Sequence, residues 1–233
     1  MKTTLAIVLL LCTHLAHAGT NDALSNIDHD LMRDSHNKGL QALFVRDQVN
    51  NAILQINTWL EQQPDIQPEK MAAVFDIDET LLDTYAFMET MDFSYSLDEL
   101  DDWMATGSAG PIQPVQALCK MFLDAGVNVY LLTGRHEALR AATEENLKQY
   151  DCSSWQKLYM RPSNNGSDQI KNYKLAAFDE ISQRGEEIIL VIGDQHPDTL
   201  HMRSKVRVKL PNPYYNIMND DVFLAFEDLK KSN

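Results

Sequence analysis

Cysteine is scarce in this 233-residue chain, with three in all, and none stands in a C-x-x-C pair or at a Cys/His spacing. That excludes a zinc cluster or a dithiol redox site of the usual pattern. His29, His36, His136 and His201 likewise lack metal-ligand spacing. Beyond the first dozen residues there is no apolar run long enough to cross a bilayer, so no transmembrane segment is expected. Positive charge is also in short supply: 20 Lys and Arg against 34 Asp and Glu leave a net charge of −14. Such a balance disfavours nucleic acid and anionic membrane surfaces as partners. An acidic protein that handled an anionic ester would have to gather positive charge locally. Internal repeats and long low-complexity tracts are absent, which removes repeat architectures from consideration.

The amino-terminal 18 residues have the layout of a cleaved export signal: Lys2, an apolar run over Leu5–Leu11, and the small-x-small triplet Ala16-His17-Ala18. Cleavage is expected after Ala18, with export to a periplasm or to the medium. Cys12 follows Leu11, where a lipoprotein signal needs a small residue, so a lipid anchor is not expected. The remaining 215 residues suffice for one well-buried domain over 19–233 with a small accessory piece. Cys119 and Cys152 would then meet an oxidising compartment, either as a disulfide or as two buried thiols.

Apolar residues from about Asp30 to Gln63, among them Leu40, Leu43, Phe44, Val49, Ile53, Ile56 and Leu60, recur at helical spacing until Pro64 and Pro68. An alternating programme follows. Strands are predicted at Ala72–Ile77, Val127–Leu132, Lys157–Met160, Ile188–Ile192 and Val206–Leu210. Helices are predicted at Pro114–Ala125, Glu137–Tyr150 and Ser167–Arg184. Continuous apolar strands separated by helices imply an α/β fold, a Rossmann-like parallel sheet flanked by helices on both faces. Segments 30–63 and 84–110 are expected to form a small helical cap beside it. The aromatics Phe87, Phe93, Tyr95 and Trp103 would either fill that cap or stack on a leaving group. Its acids Asp98, Glu99, Asp101 and Asp102 read as a solvated helix face.

The most informative segment is Val74-Phe75-Asp76-Ile77-Asp78-Glu79-Thr80. Ligands of open α/β sheets bind beyond the carboxyl ends of the strands, where Asp76 and Asp78 fall. Two carboxylates so close repel unless a cation or a shared proton relieves them. Oxygen donors with no His or Cys beside them suit Mg²⁺. Asp76 is then placed to attack phosphorus, and Asp78 to move a proton on and off the departing and attacking oxygens. The plainer reading is an acidic cap on a strand end. Other strand ends add weight. Thr133-Gly134-Arg135 supplies a hydroxyl and backbone N–H groups for phosphoryl oxygens, and Asp194-Gln195-His196-Pro197-Asp198 supplies further carboxylates. Lys171 and Lys174 share a helix face and could each bring the missing positive charge.

These motifs, in this order, resemble the haloacid dehalogenase (HAD) superfamily, in its secreted acid-phosphatase branch, subfamily IIIB. The stretches "LLTGRHEALRAATEENLKQYDCSSWQKLYMR", "NYKLAAF", "IGDQHPD" and "KLPNPYYNI" extend the resemblance over about Asp34 to Ile217. The resemblance implies Asp76 as nucleophile, Asp78 as general acid and base, Thr133 as a phosphate-binding hydroxyl and Lys174 as the neutralising lysine. It implies metal ligation by Asp76, Asp78 (through its carbonyl), Asp194 and the supporting Asp198. Thr133, Gly134, Arg135 and Lys174 would hold the phosphoryl group, with Arg135 alternatively bracing its loop. His196 could touch the leaving group or be an ordinary loop histidine. The substrate would be a small phosphomonoester, such as a nucleotide, sugar or aryl phosphate. Phe75, Leu81 and Phe87 depart from the commonest bacterial signature, and Gln195 is closer to the plant-type form. The main rival is a non-catalytic storage or binding protein on the same fold. A receiver domain is disfavoured by the D-x-D-x-T spacing and the insertion.

Overall fold

Five short apolar runs generate the centre of the molecule. A computed structural model describes residues 22–162, 170–201 and 203–215, with side chains from residue 29. The export signal, the start of the helix expected at Ser167, and Ile217 lie outside those residues. In chain order the elements begin with helices α1 (Asp22–Asn37) and α2 (Leu40–Leu60), then strand β1 (Met71–Phe75) and the two-residue β2 (Leu82–Asp83). Helices α3 (Tyr85–Thr90) and α4 (Leu97–Met104) follow, then β3 (Gly110–Pro111), α5 (Gln113–Asp124), β4 (Asn128–His136) and α6 (Arg140–Leu147). Last come β5 (Lys157–Arg161), α7 (Ile170–Gln183), β6 (Glu187–Gly193) and β7 (Val206–Lys209).

The main sheet has the order β5-β4-β1-β6-β7, with every pairing parallel. Strand β1 therefore lies at its centre, and its five residues are all buried. Successive side chains alternate between faces. Ala72 and Val74 join Tyr130, Tyr159, Phe178 and Ile181 on the α7 side. Ala73 and Phe75 join Val49, Ile56, Leu118 and Phe122 on the side of α2 and α5. Both faces are thus covered, as continuous apolar strands require.

The helical region before β1 is divided in two. Gly39, at φ 66°, adopts the left-handed conformation between α1 and α2. Glycine enters that region without a Cβ penalty. The buried stripe of α2 is Val45, Val49, Ala52 and Ile56, whereas Leu43 and Phe44 face outward. Spacing fixed the helix but not which of two apolar stripes faces inward. The same stripe corrects the cap assignment for residues 40–60, because α2 belongs to the layer covering the sheet. In the 84–110 segment, Phe87 packs against Tyr95 and Trp103, with ring centroids 5.2 and 5.4 Å apart. Helix α4 starts at a capping box in which Ser96 and Glu99 satisfy each other's backbone N–H groups. Of the acids on that helix, Asp101 meets His136 Nε2 at 2.7 Å and so ties α4 to the end of β4.

Cys119 of α5 and Cys152, before β5, form a disulfide with Cα atoms 5.6 Å apart. The bridge closes a loop with a sequence separation of 33. Chain entropy then predicts a loss of about 3–4 kcal/mol of stability in Cys119→Ser/Cys152→Ser, read from denaturant midpoints. An unchanged midpoint would contradict a stabilising bridge.

Candidate active site

The sheet continues one residue past β1, because the Asp76 N–H donates to the Ile192 carbonyl at 2.9 Å. Asp76 is thereby fixed at the carboxyl end of the central strand, and it is buried. The chain then turns tightly: the Ile77 carbonyl accepts from the N–H groups of Thr80, Leu81 and Leu82 at 2.8–3.2 Å. Thr80 Oγ1 donates back to Asp76 Oδ2 at 3.3 Å.

Strand β6 delivers the second group of carboxylates. Asp194 follows directly on Gly193, and a 3-10 turn over His196–Thr199 returns Asp198 beneath the strand end. The Gln195 N–H donates to Asp198 Oδ2 at 2.7 Å and locks that turn. The approach is so close that a Cβ at position 193 would lie 2.3 Å from that of Asp198. Only glycine permits it.

Lys174, from α7, completes the cluster. Its buried Nζ donates to Asp76 Oδ1 at 2.7 Å and to Asp198 Oδ1. Lys171, three residues earlier, is exposed, so Lys174 is the lysine in the site. Oxygens of Asp76, Asp194 and Asp198 lie within 4.8 Å of one another. Three carboxylates and one ammonium leave two surplus negative charges when all are ionised. Burial, then Asp198, push the Asp76 carboxyl well above its ordinary 3.8, with Lys174 opposing. Burial and Asp198 likewise push Asp194 up to about 7. Burial alone would lower Lys174, but Asp198 and Asp76 outweigh it and raise it above 10.5. The ammonium therefore stays charged, and the excess lies with the carboxylates. A divalent cation with oxygen ligands fits that donor set and that charge.

Asp78 is placed differently. Its expected metal contact is the backbone carbonyl, and its carboxylate is not one of the three clustered acids but pairs with Arg135. It accepts from Arg135 Nε at 3.0 and 3.1 Å and from Arg135 Nη2 at 2.6 Å. Arg135 is buried and also donates from Nη1 to Thr143 Oγ1 at 3.1 Å. The Arg135 side chain, at the end of β4, thus links Asp78 to Thr143. Thr133, fully buried, accepts from the Arg135 N–H at 3.1 Å. Opposite β1 the register pairs Phe75 with Leu131, which sets Thr133 just beyond Asp76 at the same edge. Gly134 accepts from Arg161 Nε at 3.0 Å through its carbonyl, while His196 is exposed.

Three residues without an expected role belong to the same network. Glu79 is fully buried at φ 52°, a left-handed conformation unusual for a residue with a side chain. Its carboxylate accepts from the Thr84 N–H at 3.0 Å, from Thr84 Oγ1 and from the Tyr215 hydroxyl. Burial and the Asp78 charge raise it from 4.5 to about 8. Asn212 Nδ2 donates to Asp194 Oδ2 at 2.7 Å. The available signal was position: Asn212 and Tyr215 follow β7 at the sheet edge where Asp76 and Asp194 emerge.

Compared with known proteins, the sequence matches the HAD superfamily, subfamily IIIB (acid phosphatase), over residues 10–218. The chain belongs to that subfamily. Among curated relatives, acid phosphatase 1 of Solanum lycopersicum is 34% identical over 151 residues, covering 62% of this chain and 58% of the relative. Vegetative storage protein 1 of Arabidopsis thaliana is 27% identical over 150 residues, covering 62% of this chain and 54% of the relative. The matched region thus spans under two thirds of these relatives' length. The class C acid phosphatase from Bacillus anthracis shares the fold, with a TM-score of 0.66 at 18% identity over 90% of this chain and 98% of that one. Among the described residues no helix is long and apolar enough to cross a membrane.

Proposed function

We propose that this subfamily IIIB protein is an exported, magnesium-dependent acid phosphatase acting on small phosphomonoesters. The observation that carries the reading is the buried Asp76–Lys174–Asp198 bridge beside Asp194 at one sheet edge. Asp76 attacks the phosphorus, the P–O bond to the leaving alcohol breaks, and an aspartyl-phosphate forms. Asp78 delivers the proton to the departing oxygen. Water then attacks the phosphorus, Asp78 takes its proton, and the bond to Asp76 breaks to release phosphate. Arg135 holds Asp78 at the mouth of the site through the two-pronged contact. Lys174 and the Thr133 hydroxyl offset the charge of the phosphoryl oxygens. Magnesium, held by Asp76, Asp194, the Asp78 carbonyl and the supporting Asp198, would supply charge neutralisation at the phosphoryl group. The helices of 84–110 form a cap over the pocket and select the leaving group. Export is consistent with the Lys2–Ala18 signal pattern and with the Cys119–Cys152 disulfide.

A second reading, a storage protein without turnover, is favoured by the vegetative storage relatives. One assay separates the two. Purified protein is expected to release phosphate from p-nitrophenyl phosphate with Mg²⁺ and to lose that activity in EDTA. No release from any nucleotide, sugar phosphate or aryl phosphate with Mg²⁺ present would leave the storage reading standing.

A further inference from the structure

The segment Pro211–Tyr215 leaves the end of β7 and crosses to two different parts of the site. The Leu210 N–H still donates to the Gly193 carbonyl at 2.8 Å, so the segment begins anchored beside the strand that carries Asp194. Asn212 then makes bonds in two directions. Its Oδ1 accepts from the N–H groups of Tyr214 at 2.8 Å and Tyr215 at 3.3 Å, and its Nδ2 donates to Asp194 Oδ2. Two N–H donors on one side and a carboxylate on the other allow only one orientation of the amide. Asp194 Oδ2 is therefore held by a group that is itself held, beside a second donor, Gln195 Nε2. Three residues on, the Tyr215 hydroxyl reaches Glu79, and Gln195 Nε2 approaches the Tyr215 carbonyl at 3.4 Å. Glu79 occupies the left-handed turn directly after Asp78, a conformation that persists only where its surroundings over-determine it. Tyr214 Oη donates elsewhere, to Gln41 Oε1 on α2 at 2.7 Å.

We propose that Pro211–Tyr215 is a positioning strap, in which Asn212 sets the metal-facing carboxylate Asp194 and Tyr215 sets the Glu79 turn that carries Asp78. Neither residue touches the reacting atoms. Each acts through a neighbour, and one short segment registers the β6 side of the site against the β1 side. Groups that orient metal ligands in this way usually change metal affinity or activity by about 10–100-fold when removed. The kinetic half of the proposal rests on the phosphatase reading; the metal half does not.

The test uses Mn²⁺ as a spectroscopic probe, with the dissociation constant read by electron paramagnetic resonance on the full-length protein. Asn212→Ala is expected to weaken Mn²⁺ binding by roughly tenfold or more. Asn212→Ser keeps an acceptor for the Tyr214 N–H but is too short to reach Asp194, so it serves if the alanine variant does not fold. Tyr214→Phe, which loses only the bond to Gln41, is expected to bind Mn²⁺ as the wild type does. Tyr215→Phe is expected to lower kcat about tenfold for p-nitrophenyl phosphate, with KM within about twofold, as for an interaction made only in the transition state. Folded Asn212 variants with wild-type Mn²⁺ affinity overturn the Asn212 role, as does a wild type that binds no Mn²⁺. Unchanged kcat in Tyr215→Phe overturns the Tyr215 role. A wild type that binds Mn²⁺ but hydrolyses nothing refutes the phosphatase reading, while the Asn212 comparison still decides the strap.

Discussion

In Asp76→Asn, phosphate release from p-nitrophenyl phosphate is expected to fall by roughly 10⁴-fold or more, the scale seen when a covalent nucleophile is removed. The amide keeps the shape of the carboxylate, so the substitution isolates chemistry from packing. An amide oxygen carries no charge to direct at phosphorus, and no aspartyl-phosphate can form. The fold has reason to survive the change. The Asp76 N–H that extends the sheet is a backbone group and is retained. Lys174 keeps Asp198, and one of three crowded negative charges disappears. Thermal unfolding of the metal-free variant is therefore expected at or above the wild-type temperature. Activity near the wild-type level in Asp76→Asn would rule out Asp76 as nucleophile. Loss of activity together with loss of the folded circular-dichroism signal would make the residue structural.

The order of elements in the main sheet was legible because most of its strands are short apolar runs ended by a polar motif, with α5, α6 and α7 between them. That Asp76, Thr133 and Asp194 come together was legible for the same reason: a parallel sheet collects its strand ends at one edge. What could not be read depends on contacts between distant residues. Phase alone left Lys171 and Lys174 equivalent, and the choice is made by Asp76, 98 residues earlier in the chain. Leu43 and Phe44 continue the helical spacing of α2 yet face outward, because the sheet surface selects the stripe headed by Val45 and Val49. The orientation of Asp78 toward Arg135 follows from a pairing 57 residues apart. Glu79 was hidden by its neighbours: beside two aspartates it reads as one more acid, although it is the one that is fully buried.

Stability of the metal-free protein is expected to fall as pH rises from about 5 to about 8, the reverse of ordinary acid denaturation. The cause is the surplus of buried carboxylates. Asp194 is raised from 3.8 to about 7 and Glu79 from 4.5 to about 8, and Asp76 is raised in the same direction. Between its ordinary value and its raised value, each group holds a proton in the folded state that it has released in the unfolded chain. Stability must then decline with pH across that window, by linkage. The groups shifted the other way act elsewhere. Asp92, Glu99, Glu137 and Glu180 are lowered by neighbouring hydrogen bonds, so their contribution is lost only as pH falls below the carboxylate range. His201, lowered from 6.5 by burial, opposes the trend, but it is one partly buried group against a cluster. The net loss should be on the order of several kcal/mol, read from unfolding temperatures in EDTA at the two pH values. A divalent ion changes the sign of the comparison, because ligation requires the ionised carboxylates and competes with protons. Magnesium should therefore raise the unfolding temperature strongly at pH 8 and little at pH 5. Equal stabilisation at both pH values would mean that Asp76, Asp194 and Asp198 are not where the ion binds.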